Sequence, residues 1–214
     1  MPQPNIIEHH NPELDLTNAF NREPGYHGAA WVEVTDTGYA TDRPVPNELG
    51  QFLTEVARLT ANTESIRELG RIGCAYMRVI DGANPENYMK WHVDNEDGGL
   101  RFHTAISTDG AKVNLAWPQD ESLVGQPVEN TDWQQAAHQP DNGVIVGFTT
   151  QPHGVLPQPS RPGEKTAIFF ATLYKERSAA DLYSTNNTST ESHAMLPSLE
   201  DSRYPLPYQQ GLNG

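Results

Sequence analysis

Trp91-His92-Val93-Asp94 closes an apolar-patterned stretch that begins at Tyr88, and it runs straight into the turn-forming Asn95-Glu96-Asp97-Gly98-Gly99. His92 and Asp94 stand two residues apart, so on an extended strand their side chains leave the same face. Further along, Gly143-Val144-Ile145-Val146-Gly147-Phe148 reads as a buried strand, and Thr149-Thr150-Gln151-Pro152 as a short turn. His153-Gly154-Val155 then places an imidazole at the start of the next strand. Two imidazoles and a carboxylate brought together this way form a two-His-one-carboxylate set. That set covers one face of an Fe(II) ion and leaves the remaining positions open. His-X-Asp alone is a weak signal. The competing reading is two ordinary half-buried histidines with Asp94 capping a turn.

Working outward, strands are expected at Ile72 to Ile80, Tyr88 to Asp94, Leu100 to Ser107, Lys112 to Trp117, Gly143 to Phe148, His153 to Leu156, and Lys165 to Tyr174. Asp109-Gly110 is a tight-hairpin signal between two of them. Upstream, Leu49, Phe52, Leu53, Val56 and Leu59 recur at helical spacing behind Asn47, a good N-cap residue. Asn62 or Thr63 is placed to cap a second short helix carrying Ile66 and Leu69. Many short strands separated by turn residues predict a mainly β fold, a double-stranded β-helix of jelly-roll, cupin-like type with supporting N-terminal helices.

The chain of 214 residues fits one domain large enough to bury a core without metal or disulfide support. Three regions are expected. Residues 1–46 are a polar, Pro-punctuated arm packing on the core, with one apolar patch at Ala29-Ala30-Trp31-Val32. Residues 47–177 form the β domain, and 178–214 a polar tail. Gln119 to Asp141 reads as a long excursion able to cover the site.

A formal net charge of -14 repels phosphate backbones and anionic lipid, so neither nucleic acid nor a membrane surface is an expected partner. A small-molecule or peptide substrate is expected instead. Cys74 is the only cysteine, which excludes a disulfide framework and a thiolate zinc site. No apolar run approaches the ~18 residues that span a bilayer. Met1-Pro2-Gln3-Pro4-Asn5 lacks the basic-then-apolar order of a secretory signal, and a cytoplasmic location is the expectation.

If the triad serves a 2-oxoglutarate-dependent oxygenase, the cosubstrate needs a cation for its far carboxylate. Lys165, opening Lys165-Thr166-Ala167-Ile168-Phe169-Phe170, is the first candidate, and the loop residue Arg161 is its competitor. Leu100-Arg101-Phe102-His103-Thr104-Ala105-Ile106 alternates in period two and puts Arg101 and His103 on one face. Turned inward, they would be costly to bury unless an anion joins them; turned outward, they are a solvated face. Tyr76 and Arg78 are weaker candidates for the same pocket. Trp117 and Trp133 are candidates for substrate lining or core. His9 and His10, in the polar N-terminal arm, are expected to be solvated, and His27, His138 and His193 have no partner at ligand spacing.

Leu100-Arg101-X-His103 following a metal-His strand, then the glycine-led strand before His153, resembles the aspartyl/asparaginyl β-hydroxylase family of Fe(II)/2-oxoglutarate dioxygenases. The resemblance covers roughly residues 70 to 175. It implies that Arg101 and His103 engage the cosubstrate. It also implies that Lys165 stands where the family tends to have Arg, at a slightly longer spacing that keeps Arg161 in play. The family's animal peptide hydroxylases lack a carboxylate two residues after the first His. Asp94 restores the full triad of the wider superfamily and disfavours a halogenase.

The implied activity is hydroxylation of an unactivated C–H bond of an amino-acid, peptide or small-metabolite substrate. Fe(II), 2-oxoglutarate and O2 are required, and succinate and CO2 are released. Two alternatives remain. One is a cupin-like metalloenzyme that binds metal through His92, His103 and His153 without 2-oxoglutarate. The other is a non-catalytic β-sandwich binding module.

Overall fold

The computed structural model describes residues 7–11, 13–62, 71–84, 88–93, 99–110, 113–128, 133–138, 143–148 and 152–174. In chain order its strands are β1 (Ile7–His10), β2 (Gly25–Thr35), β3 (Gly38–Thr41), β4 (Ile72–Asp81), β5 (Gly99–Ser107), β6 (Asn114–Pro118), β7 (Trp133–His138), β8 (Gly143–Phe148), β9 (Gly154–Leu156) and β10 (Lys165–Tyr174). A larger antiparallel sheet runs β1-β8-β5-β10-β4-β2-β3, and a smaller one runs β7-β6-β9. The segment at 89–92 extends the smaller sheet: His92 pairs with His153 on one side, and Lys90 pairs with Pro127 on the other.

From β4 onward the chain changes sheet repeatedly. It runs from β4 in the large sheet to segment 89–92 in the small one, then to β5, across to β6 and β7, back to β8, across to β9, and back to β10. Winding of this kind defines the double-stranded β-helix, or jelly roll. The expected fold class is therefore the observed one.

Alternation along β10 shows how two layers form on the large sheet. Ala167, Phe169, Ala171 and Leu173 join one core cluster with α1 (Asn47–Asn62). Ile168 and Phe170 join another, with Tyr76, Ile80, Ala105, Val113 and Val155, between the two sheets. Leu49, Phe52, Leu53, Val56 and Leu59, the residues at helical spacing, are all buried. The Phe52 ring lies 5.9 Å from that of Phe169, and removing such a ring costs about 3–5 kcal/mol. Buried Glu48 and Glu55 are neutralised by Arg22 and Arg58 at 2.9 Å and 2.6 Å.

Several details differ from the sequence reading. The first 46 residues do more than lie on the core, since β1, β2 and β3 are strands of the large sheet. Along β2, Val32 and Val34 point into the helix-side core while Glu33 is exposed, a period-two pattern hidden by the surrounding polar residues. Asp109-Gly110 does make a turn, with Gly110 at φ 68° and its N–H bonded to Ser107 O. It is not a hairpin, however: β5 pairs with β10 and β8, whereas β6 pairs with β7 and β9. Part of the 119–141 excursion is sheet, because β7 pairs with β6. Asn62, one of the two expected caps of a second helix, is the last residue of α1; residues 63–69, Asp94 and the tail from 178 lie outside the described residues. Among those described, no helix is long and apolar enough to cross a membrane.

Candidate active site

Trp91 packs with Ala116, Val128 and Leu156 on the outer side of the small sheet. Its neighbour His92 is consequently turned to the inner side. His153 stands two before Val155, which belongs to the cluster between the sheets, so its side chain also faces in. The two histidines form an antiparallel pair. His92 N–H donates to His153 O at 3.0 Å, and His153 N–H donates to His92 O at 2.9 Å. Residues directly opposite in such a pair project from one face, and the two rings lie with centroids 4.4 Å apart.

Gly154 is what lets Trp91 sit so close. A Cβ at that position would lie 2.5 Å from Val128 Cγ2 and 3.0 Å from Trp91 Cε3. The backbone of segment 125–128 holds Trp91 from the other side: Trp91 N–H donates to Gln126 O at 2.9 Å, and Gly125 N–H donates to Trp91 O at 2.7 Å. The strand bearing His92 is thus pinned on both edges.

His92 Nδ1 lies 2.8 Å from Lys90 O. A carbonyl only accepts, so Nδ1 carries a proton, and in the neutral ring Nε2 then carries the lone pair. A backbone acceptor on the far nitrogen is how metal-binding imidazoles are commonly oriented. Two rings 4.4 Å apart are within reach of one ion bound at about 2.1 Å from a nitrogen of each. The donor chemistry present therefore fits a divalent transition metal. Among the described residues no group of three or more His, Cys, Asp or Glu is placed to hold a metal. Asp94, the expected carboxylate, is outside that set.

Across the interior, the large sheet supplies the facing wall. Arg101 and His103 are 4% and 1% exposed, so the solvated-face reading of β5 does not hold. Arg101 Nη2 donates to Tyr76 Oη at 3.0 Å and Nη1 to Thr172 Oγ1 at 3.2 Å. Its guanidinium carbon lies 4.2 Å from the centre of the Phe170 ring, a cation–π contact that offsets part of the desolvation cost. His103 meets Phe170 edge-on at 4.8 Å. Tyr76, Phe170 and His103 are register partners across β4, β10 and β5, and this is why they form one row.

Arg78 shares that inner face two residues along β4. It is paired with Ile168, which is paired in turn with Ala105. Its Nη1 donates to Tyr26 Oη at 3.3 Å, and its guanidinium carbon lies 4.9 Å from the centre of the Tyr26 ring. Trp117 packs at the same cluster between the sheets.

The two expected carboxylate anchors are placed elsewhere. Lys165 is in the odd, helix-facing register of β10, and its ammonium donates to Phe20 O at 3.0 Å and Arg22 O at 2.9 Å. These are carbonyls of the 3-10 turn at Thr17–Asn21 and of the residue that ends it. The Arg161 side chain is 82% exposed, with Nε 3.8 Å from Glu164. The structure brings neither to the interior. Sequence reasoning overlooked Phe170, Thr172 and Tyr26 as wall residues. The alternation that marks the first two is present in β10, but Tyr26 lies in β2, where a register shift between His27 and Ala30 breaks the alternation.

No family model matches the chain, and no curated protein matches it. Among solved structures, the protein called IDO from Bacillus thuringiensis is 12% identical with a TM-score of 0.37, over 80% of this chain and 93% of that one. The Escherichia coli ribosomal oxygenase YcfD is 9% identical with a TM-score of 0.35, over 94% of this chain and 59% of that one. A second structure of YcfD gives 12% identity and a TM-score of 0.32, over 94% of this chain and 60% of that one. Scores of this size leave the assignment of function to the chain's own residues.

Proposed function

We propose that the protein is an Fe(II)- and 2-oxoglutarate-dependent oxygenase that hydroxylates a C–H bond of an amino-acid, peptide or small-metabolite substrate. The observation that carries this reading is the His92–His153 pair, facing inward with rings 4.4 Å apart toward a wall that buries Arg101 and His103. His92, His153 and Asp94 would hold the ion. When bound together with 2-oxoglutarate and O2, it supplies oxidation of an otherwise unreactive C–H bond, with succinate and CO2 released.

The chain's own contribution is orientation and exclusion of water. The Lys90 carbonyl holds the His92 ring in the tautomer that presents Nε2. The paired backbone of residues 92 and 153 sets the spacing of the two imidazoles. Arg101 presents a positive charge in a setting where Tyr76, Phe170 and Thr172 fix its direction. In such a low-dielectric interior a carboxylate binds a guanidinium far more strongly than in water. His103, two residues along the same face of β5, would hydrogen-bond the same anion. Tyr76, Ile80, Ile168 and Val155 make the surroundings apolar, which keeps bulk water from the reacting atoms.

The test follows succinate release against a panel of amino acids and peptides, aerobically, with Fe(II). Substrate-stimulated succinate is expected, and it should vanish in His92→Ala and in Asp94→Ala. Undiminished turnover in either variant ends this assignment.

A further inference from the structure

We propose that Arg78, steadied by Tyr26, is the cation that grips the far carboxylate of the dicarboxylate cosubstrate, in place of a basic residue at the start of β10. The inference rests on the oxygenase reading above and deepens it. Its first support is position. Arg78 lies on the inner face of the large sheet, in the row Arg78–Ile168–Ala105. Ile168 and Ala105 belong to the cluster that also contains Val155 of the small sheet.

The second support is spacing. The Arg78 row lies two residues along β10 from the row that holds His103, Phe170 and Tyr76, or roughly 7 Å at strand rise. A short diacid can bridge that separation, with one carboxylate toward His103 and Arg101 and the other toward Arg78.

The third is the chemistry of the neighbours. Tyr26 offers Arg78 both its ring face, 4.9 Å away, and its hydroxyl, 3.3 Å from Nη1. The Tyr26 ring in turn packs edge-on against Tyr76 at 5.4 Å. The same Tyr76 accepts from Arg101, so both guanidiniums are oriented by one aromatic pair. The planar guanidinium is the side chain suited to bidentate recognition of a carboxylate.

The fourth is elimination within β10 and its loop. Lys165 is turned to the helix layer and bonded to two carbonyls, and Arg161 is exposed. The inward positions of β10 are Thr166, Ile168, Phe170 and Thr172, none of them basic.

Calorimetric titration of the anaerobic protein with Mn(II) present tests this, using two probes. 2-Oxoglutarate has both carboxylates, whereas 2-oxopentanoate lacks the far one. Arg78→Gln should weaken 2-oxoglutarate about 10- to 100-fold, the loss expected for one charge-assisted contact, while 2-oxopentanoate affinity stays as in the wild type. Tyr26→Phe, a gentler change, should weaken 2-oxoglutarate several-fold with the same selectivity. Equal loss for both probes means that Arg78 is structural, and unchanged 2-oxoglutarate affinity in Arg78→Gln means that the anchor lies elsewhere; either overturns the proposal while the oxygenase reading stands. Failure of the wild type to bind 2-oxoglutarate at all overturns both.

Discussion

His92 and His153 exchange both of their backbone hydrogen bonds, at 3.0 Å and 2.9 Å, although they reach the site from segments far apart in the chain. The imidazole spacing is therefore set by a β-ladder rung rather than by loop conformation. A site carried on paired backbone is more tightly held than one on loops.

His153 makes the first prediction. It is 5% exposed, and its ring has the His92 ring as neighbour. Replacement by Ala should weaken Mn(II) binding by at least about 100-fold, more than the loss from an outer-sphere change. Melting curves with and without Mn(II) read this directly: the rise in Tm that Mn(II) is expected to give the wild type should be absent in the variant. A variant that keeps the full rise would remove His153 from the ligand set.

Gly154→Ala is the second. The new methyl would meet Val128 and Trp91 at 2.5 Å and 3.0 Å, so the Val128 side chain must shift and the Trp91 ring beside His92 must give way slightly. A loss of about 1–3 kcal/mol is expected from overpacking, measured as a lower urea midpoint. Metal affinity should fall alongside it. Wild-type stability in Gly154→Ala would show that the contact is slack.

Lys165 tests the placement of β10. Its ammonium joins the end of the sheet to the carbonyls of Phe20 and Arg22. Lys165→Met should cost about 1.5–3 kcal/mol, the range for hydrogen bonds to a charged group, again by urea denaturation. A drop in 2-oxoglutarate affinity as large as that in Arg78→Gln would return the ammonium to the interior.

His27 gives a pH dependence. Burial pushes its pKa below the ordinary value, partly opposed by its hydrogen bond to Glu23 O. The unfolded chain, with a pKa of about 6.5, takes up the proton first as pH falls. Stability from this group is therefore full above about 6.5 and declines from there toward the lowered folded value. His27→Gln should flatten the difference between urea midpoints at about pH 7.5 and about pH 5. An unchanged difference would place the acid sensitivity in other groups.

Much of this arrangement is legible in sequence because it depends on period. Helical spacing from Leu49 to Leu59 and the apolar runs of β4, β5 and β10 mark elements whose cores are continuous. Arg101 and His103 stand two apart within such a run, so their shared face follows from the strand alone. Which layer Lys165 faces is not legible in the sequence, because both faces of β10 are buried and apolar. The register with Asp81 and the tie to Phe20 decide it, and both come from distant chain. β2 escaped notice for a similar reason. Its alternation is broken by a register shift between His27 and Ala30, and its partner β4 supplies what its own composition does not.

The repeated passage from one sheet to the other has a kinetic side. Neither histidine finds its counterpart until the strands between them are wound and docked, and such non-local pairing is slow to form. A nascent chain halted before β9 lacks the second imidazole, so a metal held by both, as proposed, would be captured late in folding rather than at its start.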